Sequence, residues 1–195
     1  MQNIKESISL PVSDKLAFQV LSDVNLILRL SPYWSLKKFK PFFKGIVRTG
    51  SRFEATIEHY GKELTETLTL EVIEFYNNEK ISLKVEEGIL KQIIFLIDNN
   101  SEGIKLTHQF FLESEDDSII KGFEAELHYW LRSIGEYLKL AGDRNLYKKL
   151  FKWFMDKAWL RMTLSERKIA IIMVTISIIE IILLFMLVLA WNLFT

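Results

Sequence analysis

The side chains best suited to acid–base or ligand-orienting chemistry are three histidines, His59, His108 and His128. His59 continues an alternation of Phe53, Ala55 and Ile57, and His108 stands between Leu106 and Phe110 in a second one. An imidazole on an apolar face orients a ligand or serves as a general base; it also occurs as a satisfied core or rim residue. Both readings stay open for these two. His128 lies beside an apolar helical stripe, at its edge. The three lack the His-x-x-x-His spacing of a metal site, and the chain has no cysteine. Thiol catalysis, disulfides and Cys-ligated metals are thereby excluded, and no cofactor or metal is expected. There is no phosphate-cradling glycine loop and no Gly-x-Ser-x-Gly elbow. The acid pairs Glu86-Glu87 and Asp116-Asp117 fall at predicted turns or helix starts, where solvation and capping account for them. No catalytic constellation emerges, so the reading leans towards a binding module rather than an enzyme.

The elements that would position these residues follow from periodicity. Ile4, Glu6, Ile8 and Leu10 suggest a first strand; Ser13 then caps a short helix through Leu21, and Val24–Leu30 forms a second that Pro32 ends. A run of strands follows over 52–60, 62–75, 81–86, 91–97 and 104–112, joined by turn signals at Gly61, Asn77-Asn78, Gly88 and the polar loop 98–103. Short connections make these strands antiparallel. Ile120, Phe123, Leu127, Trp130, Leu131, Ile134 and Leu138 recur at three- and four-residue spacing, with Lys121, Glu124, Arg132 and Glu136 opposite. They predict one long amphipathic helix.

The C-terminal third reads differently. Residues 169–191 carry one charge and span roughly 34 Å as a helix, enough to cross a bilayer core. Thr163-Leu-Ser-Glu166 has the capping-box pattern, Arg167 and Lys168 can reach headgroups, and Trp191 ends the span where an indole prefers the interface. Inside it, Ser177 and Glu180 share a helical face; an intramembrane carboxylate contacts a partner chain, relays protons or stays protonated in an apolar setting. Between head and span, residues 146–162 put Lys148, Lys149 and Lys152 beside an aromatic face with Trp153 and Trp159, as in a helix lying in the membrane interface or packing on the head.

Residues 1–142 carry 17 basic and 21 acidic side chains, while residues 143–168 carry 8 and 3. The mildly acidic head argues against nucleic acid as partner; the basic stretch favours an anionic membrane surface. Basic flanks N-terminal to the span place the head on the cytoplasmic side, with the short C-terminus opposite. The polar N-terminus has no signal-peptide character, and a span so near the C-terminus implies insertion after synthesis. The expected organisation is a head over 1–141, a basic amphipathic juxtamembrane segment over 142–165 and a tail anchor over 166–195.

The order strand, two short helices, antiparallel strands, long helix is α+β: a curved sheet wrapped around a C-terminal helix, the helix-grip arrangement. With Ile8-Ser-Leu-Pro-Val-Ser13, Leu21-Ser-Asp-Val-Asn-Leu26 before Pro32-Tyr-Trp34, and the strand start Gly50-Ser-Arg-Phe53, the head resembles the START-like, or SRPBCC, superfamily with its polyketide-cyclase-like members. That resemblance implies a deep apolar cavity between sheet and helix for a lipid, isoprenoid or similar hydrophobic molecule. Alternation nominates Phe53, Ile57, His59, Leu83, Leu106, His108, Phe110, Phe123, Leu127 and Trp130 as lining residues. The expected function is a membrane-anchored binding protein for a hydrophobic ligand. The alternatives are a cyclase- or hydratase-like enzyme using His59 or His108, and a ligand-free platform that meets a membrane partner through Glu180.

Overall fold

The structure, a computed structural model, describes residues 1–43, 45–59, 64–143 and 145–194; for Leu164 and residues 188–194 the description is of the backbone alone. It divides into two compact units, Met1–Leu160 and Arg161–Thr195.

The first unit opens with strand β1 (Gln2–Leu10). Helix α1 (Asp14–Leu21) starts where the Ser13 hydroxyl accepts from the Leu16 amide, and α2 (Val24–Arg29) starts where the Asp23 carboxylate accepts from the Leu26 amide. Short polar side chains at both N-caps satisfy amides that the first turn leaves unpaired. Six strands follow: β2 (Trp34–Pro41), β3 (Arg52–His59), β4 (Thr65–Tyr76), β5 (Lys80–Val85), β6 (Leu90–Asn100) and β7 (Gly103–Leu112). Helix α3 (Asp117–Gly142) is capped by Asp116. Helix α4 (Leu146–Lys157), capped by Asn145, follows, and a 3-10 turn (Trp159–Arg161) runs across the boundary between the two units. The second unit is helix α5 (Leu164–Phe194).

The strands form one seven-stranded antiparallel sheet in the order β1-β7-β6-β5-β4-β3-β2. Its concave face and α3 share the core, in which Trp130, Ile134 and Leu138 on the helix meet Phe95, Leu106 and Phe110 on the sheet. This is the helix-grip α+β architecture.

Two elements differ from the periodicity reading. Strand β2 was not anticipated, because Lys37, Lys38 and Lys40 interrupt the alternation. It is an edge strand with a bulge between Leu36 and Lys38 and a terminal proline. Charges, bulges and Pro are devices that keep an edge from recruiting further strands. The polar loop expected over 98–103 shrinks to a two-residue turn, since Asn100 pairs directly with Gly103. Gly103 sits at φ 139°, and a Cβ there would lie 2.2 Å from the Leu10 carbonyl oxygen, so only glycine lets the hairpin pass β1. The expected turn at Asn77-Asn78 forms, with Asn78 at φ 63°. Gly61 lies outside the described residues.

Helix α4 packs a narrow strip on α3. The Tyr137 hydroxyl donates to Asp156 at 2.7 Å, Lys152 meets the same carboxylate at 2.6 Å, and the Lys152 ammonium lies 5.2 Å from the Tyr137 ring centre. The other side of α4 is exposed, including Leu150, Phe151 and Trp153. In α5 the expected capping box forms: the Thr163 amide donates to Glu166 at 2.6 Å, and the Glu166 amide to the Thr163 hydroxyl at 3.3 Å. Residues Ser165–Leu187 have mean hydropathy 2.8, long and apolar enough to cross a membrane.

Candidate functional site: an apolar cavity with an acidic rim

Between the sheet and the N-terminal half of α3 lies a cavity of about 100 Å³. Its inner wall is apolar. Leu28 and Trp34 come from α2 and β2, Ile57 from β3, Leu68 and Leu70 from β4, Val85 and Ile93 from β5 and β6, and Phe123 from α3. Strict alternation delivers them: in β3, Phe53, Ala55 and Ile57 are buried while Glu54 and Thr56 between them are not. The Trp34 and Trp130 indoles donate to the carbonyls of Leu28 and Ile27, at 3.0 and 2.8 Å. Those carbonyls close the short helix α2, so the two tryptophans bring only hydrocarbon surface to the interior.

The polar groups stand at one side, the rim. His59 ends β3, Glu66 comes from β4, Glu87 and Gly88 from the β5–β6 turn, and Glu126 from α3. His59 Nε2 and Glu66 Oε2 are 3.1 Å apart. The other Glu66 oxygen lies over the turn, 3.6 Å from where a Gly88 Cβ would stand. Glu126 Oε1 is buried and has no hydrogen-bond partner among the described residues. Burial first, and the charge on Glu66 second, push the Glu126 carboxyl up to about 8, so it holds its proton at neutral pH. Tyr33, before β2, is raised above the usual phenol range by burial and by Tyr129 and Glu126.

Of the ten residues nominated by alternation, Ile57, His59 and Phe123 line this cavity. Phe53 faces elsewhere, stacked on Phe39 at 5.3 Å and against Phe43 at 5.2 Å, beside an open groove under α2. Leu127 borders a polar surface groove with Glu6 and Glu124. Leu83, Leu106, His108, Phe110 and Trp130 are packed in the core. His108 is fully enclosed: it stacks on Phe95 at 4.4 Å and meets Phe110 and Trp130 edge-on at 4.8 and 5.0 Å. This aromatic plug explains why the deep cavity implied by the resemblance is a small one. Typical ligand sites exceed about 300 Å³. His128 is exposed and joins α3 to β1 through Glu6 at 2.6 Å.

Glu126, Glu66 and Trp34 were not among the nominated lining residues, and Glu87 was set aside as a turn residue. Glu126 carried a signal: it lies three residues after Phe123 and four before Trp130, a carboxyl on the apolar stripe. Glu66 carried none, and the Glu86-Glu87 pair reads as a solvated turn, because only tertiary pairing brings Glu66 and Glu87 together.

Among the interface candidates, Trp153 is 59% exposed, Trp159 packs on the core, and Lys148 pairs with Asp143. Lys149 and Lys168 are exposed. Arg167 donates its backbone amide to the Thr163 carbonyl at 3.0 Å. Ser177 and Glu180 are exposed on α5, and the Trp191 side chain lies outside the described residues.

A sheet closed on one long C-terminal helix, with a cavity between them, defines the START-like, or SRPBCC, fold. Solved structures bear this out. Protein NE0264 from Nitrosomonas europaea aligns at TM-score 0.58 and 13% identity, over 71% of this chain and 95% of its own. The Aha1 dimer from Colwellia psychrerythraea aligns at 0.54 and 13%, over 73% and 100%. The AHSA1-like protein from Aeromonas hydrophila aligns at 0.54 and 12%, over 74% and 97%. No family model and no curated protein matches the sequence.

Proposed function

We propose that the chain is a membrane-anchored binding module whose head encloses the apolar end of a small hydrophobic ligand. The observation that carries this reading is the cavity itself: an interior of aliphatic and aromatic walls, with every ionisable lining group on the rim. Such a division orients an amphiphile, apolar end inward. At about 100 Å³ the space takes a ring or a short branched chain, not a whole lipid. Two further features support the membrane half. From Ile169 to Leu187, helix α5 exposes apolar side chains all round, which in water would be unfavourable. Helix α4 turns Leu146, Tyr147, Leu150, Phe151, Trp153 and Phe154 outward, a continuous apolar face suited to the lipid interface. The basic residues N-terminal to the span favour a head on the cytoplasmic face. Tethering keeps the cavity within tens of ångströms of membrane-dissolved ligands and so raises their effective concentration.

The test is recovery of small molecules from the full chain in lipid nanodiscs, by solvent extraction and mass spectrometry. A Leu68→Trp variant, whose indole fills the cavity, is the control. An amphiphile present with wild type and absent with the variant supports the reading; identical extracts overturn it.

A second reading rests on the His59–Glu66 pair beside Glu126, which is an acid–base set at a cavity mouth. It makes the head a cyclase- or hydratase-like enzyme. The recovered amphiphile then changes in wild-type protein, by water gain, water loss or ring closure, and stays intact with His59→Gln. Stability with both proteins removes this reading.

A further inference from the structure

The rim is one-sided in charge. Glu66, Glu87 and Glu126 converge on it from three elements, His59 is the only nitrogen base, and no Lys or Arg lines the cavity among the described residues. Glu126 Oε1 is buried without a partner at the boundary between this rim and the apolar wall. A buried carboxyl oxygen that meets no donor leaves an acceptor unsatisfied. Resting on the binding reading above, we infer that the ligand is a hydrophobic amine, its apolar group inside the cavity and its ammonium seated between Glu126 and Glu66.

The chemistry favours an ammonium over other polar ends. It has donors and no acceptor, so it meets the orphan Glu126 oxygen and the Glu66 carboxylate together. It relieves the like-charge contact between these two acids, which along with burial keeps Glu126 protonated. Trp34 lines the same cavity, its ring 6.2 Å from that of His59, so an aromatic group stands near the rim. A carboxylate end is repelled by the acids. A carbonyl end accepts a hydrogen bond from neutral Glu126 but gives nothing to Glu66 beyond its contact with His59.

Amine and carbonyl ligands respond oppositely to pH. Glu66 on β4, His59 on β3 and Glu87 on the β5–β6 turn line the cavity with Glu126, and Tyr33 before β2 feels both Glu126 and Tyr129. Binding an ammonium ionises Glu126 and releases its proton, so affinity rises by up to about tenfold per pH unit from pH 6 towards 8. A carbonyl bound by protonated Glu126 is held more weakly over the same range.

The probes are benzylamine, benzyl alcohol, benzaldehyde and benzoate, titrated calorimetrically into the full chain in nanodiscs, with empty nanodiscs subtracted. Benzylamine is expected to bind at least about tenfold more tightly than the other three at pH 8 and to lose affinity towards pH 6. In Glu126→Gln its affinity falls at least about tenfold and its pH slope flattens, while benzyl alcohol is unaffected. That last arm also shows the variant is folded; Glu66→Gln provides a second variant with the same expected loss. Equal affinities for all four probes, or benzaldehyde tightest at low pH, overturn the amine inference but keep the cavity as a binding site. No binding of any probe, with Leu68→Trp indistinguishable from wild type, overturns both.

Discussion

Replacing His108 with phenylalanine isolates the energetic cost of a fully buried polar ring in the core. The imidazole is 0% exposed, and neither ring nitrogen has a partner among the described residues. Its ring lies 15° from coplanar with Phe95, so a phenyl ring can adopt the same stack. Burial pulls its pKa down from 6.5 to about 3, which keeps it neutral in the fold. The sign follows. Below pH 6.5 the unfolded chain takes up a proton that the folded chain refuses, so stability present above 6.5 is lost as pH falls towards about 3. At pH 5, one and a half units below the unfolded value, the loss from this residue is about 2 kcal/mol. Phenylalanine removes that linkage. At pH 7.5 it also removes two unmet polar atoms, each worth about 1–3 kcal/mol, against an overpacking cost of similar size for the larger ring. The net there is a gain of up to about 3 kcal/mol for the variant. The advantage of the variant over wild type should therefore grow by about 2 kcal/mol between pH 7.5 and 5. Urea unfolding of both full chains in one detergent, followed by tryptophan fluorescence at fixed pH steps, measures the difference directly. Other titrating groups cancel in it. A difference that stays flat across that range would show that His108 is protonated or partnered in the fold, and would refute the reasoning.

Three further outcomes are expected. Glu126→Gln should match wild type near pH 4. With the folded pKa raised from 4.5 to about 8, wild-type stability is fully present below 4.5 and lost as pH rises through about 8, so by pH 9 the variant should be more stable. The margin is on the order of 1 kcal/mol once solvent screening at this half-buried site is discounted; chemical unfolding at the two pH values checks it, and equal margins refute it. Gly103→Ala should cost about 3 kcal/mol or more, because the new Cβ collides with backbone and not with a flexible side chain; a thermal midpoint within a degree of wild type would contradict the hairpin geometry. Trp153→Phe should remove a large part of the fluorescence quenched by headgroup-proximal brominated lipid, since Trp34 and Trp130 are buried and Trp153 faces outward; unchanged quenching would detach α4 from the lipid interface.

Local chemistry was the legible part of the fold. The Ser13 cap, the Thr163–Glu166 box and the Asn77-Asn78 turn each depend on side chains and backbone a few residues apart, and each forms. Strands with clean alternation were visible for the same reason. Strand β2 was hidden because an edge strand tolerates lysines on both faces. The site was legible only in part. Alternation decides which way Phe53 and Ile57 point, and both are buried. It does not decide that Phe39 and Phe43 cover Phe53 while Ile57 meets open space; that depends on how far the sheet curls. Nor does it show that Glu66, Glu87 and Glu126, distant in sequence, meet at one rim.

The layout of α3 separates the two halves of the proposed function. Its N-terminal part supplies Phe123 and Glu126 to the cavity, and its C-terminal part holds α4 through Tyr137. Eleven residues of helix from Glu126 to Tyr137 amount to roughly 16 Å along the axis. The α4 contact and the cavity rim are therefore distinct places, joined by one rigid element. With α4 at the lipid interface, as proposed above, a ligand of pure hydrocarbon would leave the bilayer with its apolar surface in water, at about 25 cal/mol for each Å² exposed. An amine shortens the apolar part and keeps a hydrated charge for the crossing, which the acidic rim then attracts. Association should accordingly slow as ionic strength rises, whereas release, governed by the buried contacts, should change little. Stopped-flow measurements with benzylamine at low and high salt distinguish the two rates. A salt effect confined to release would mean that the rim acts only after docking.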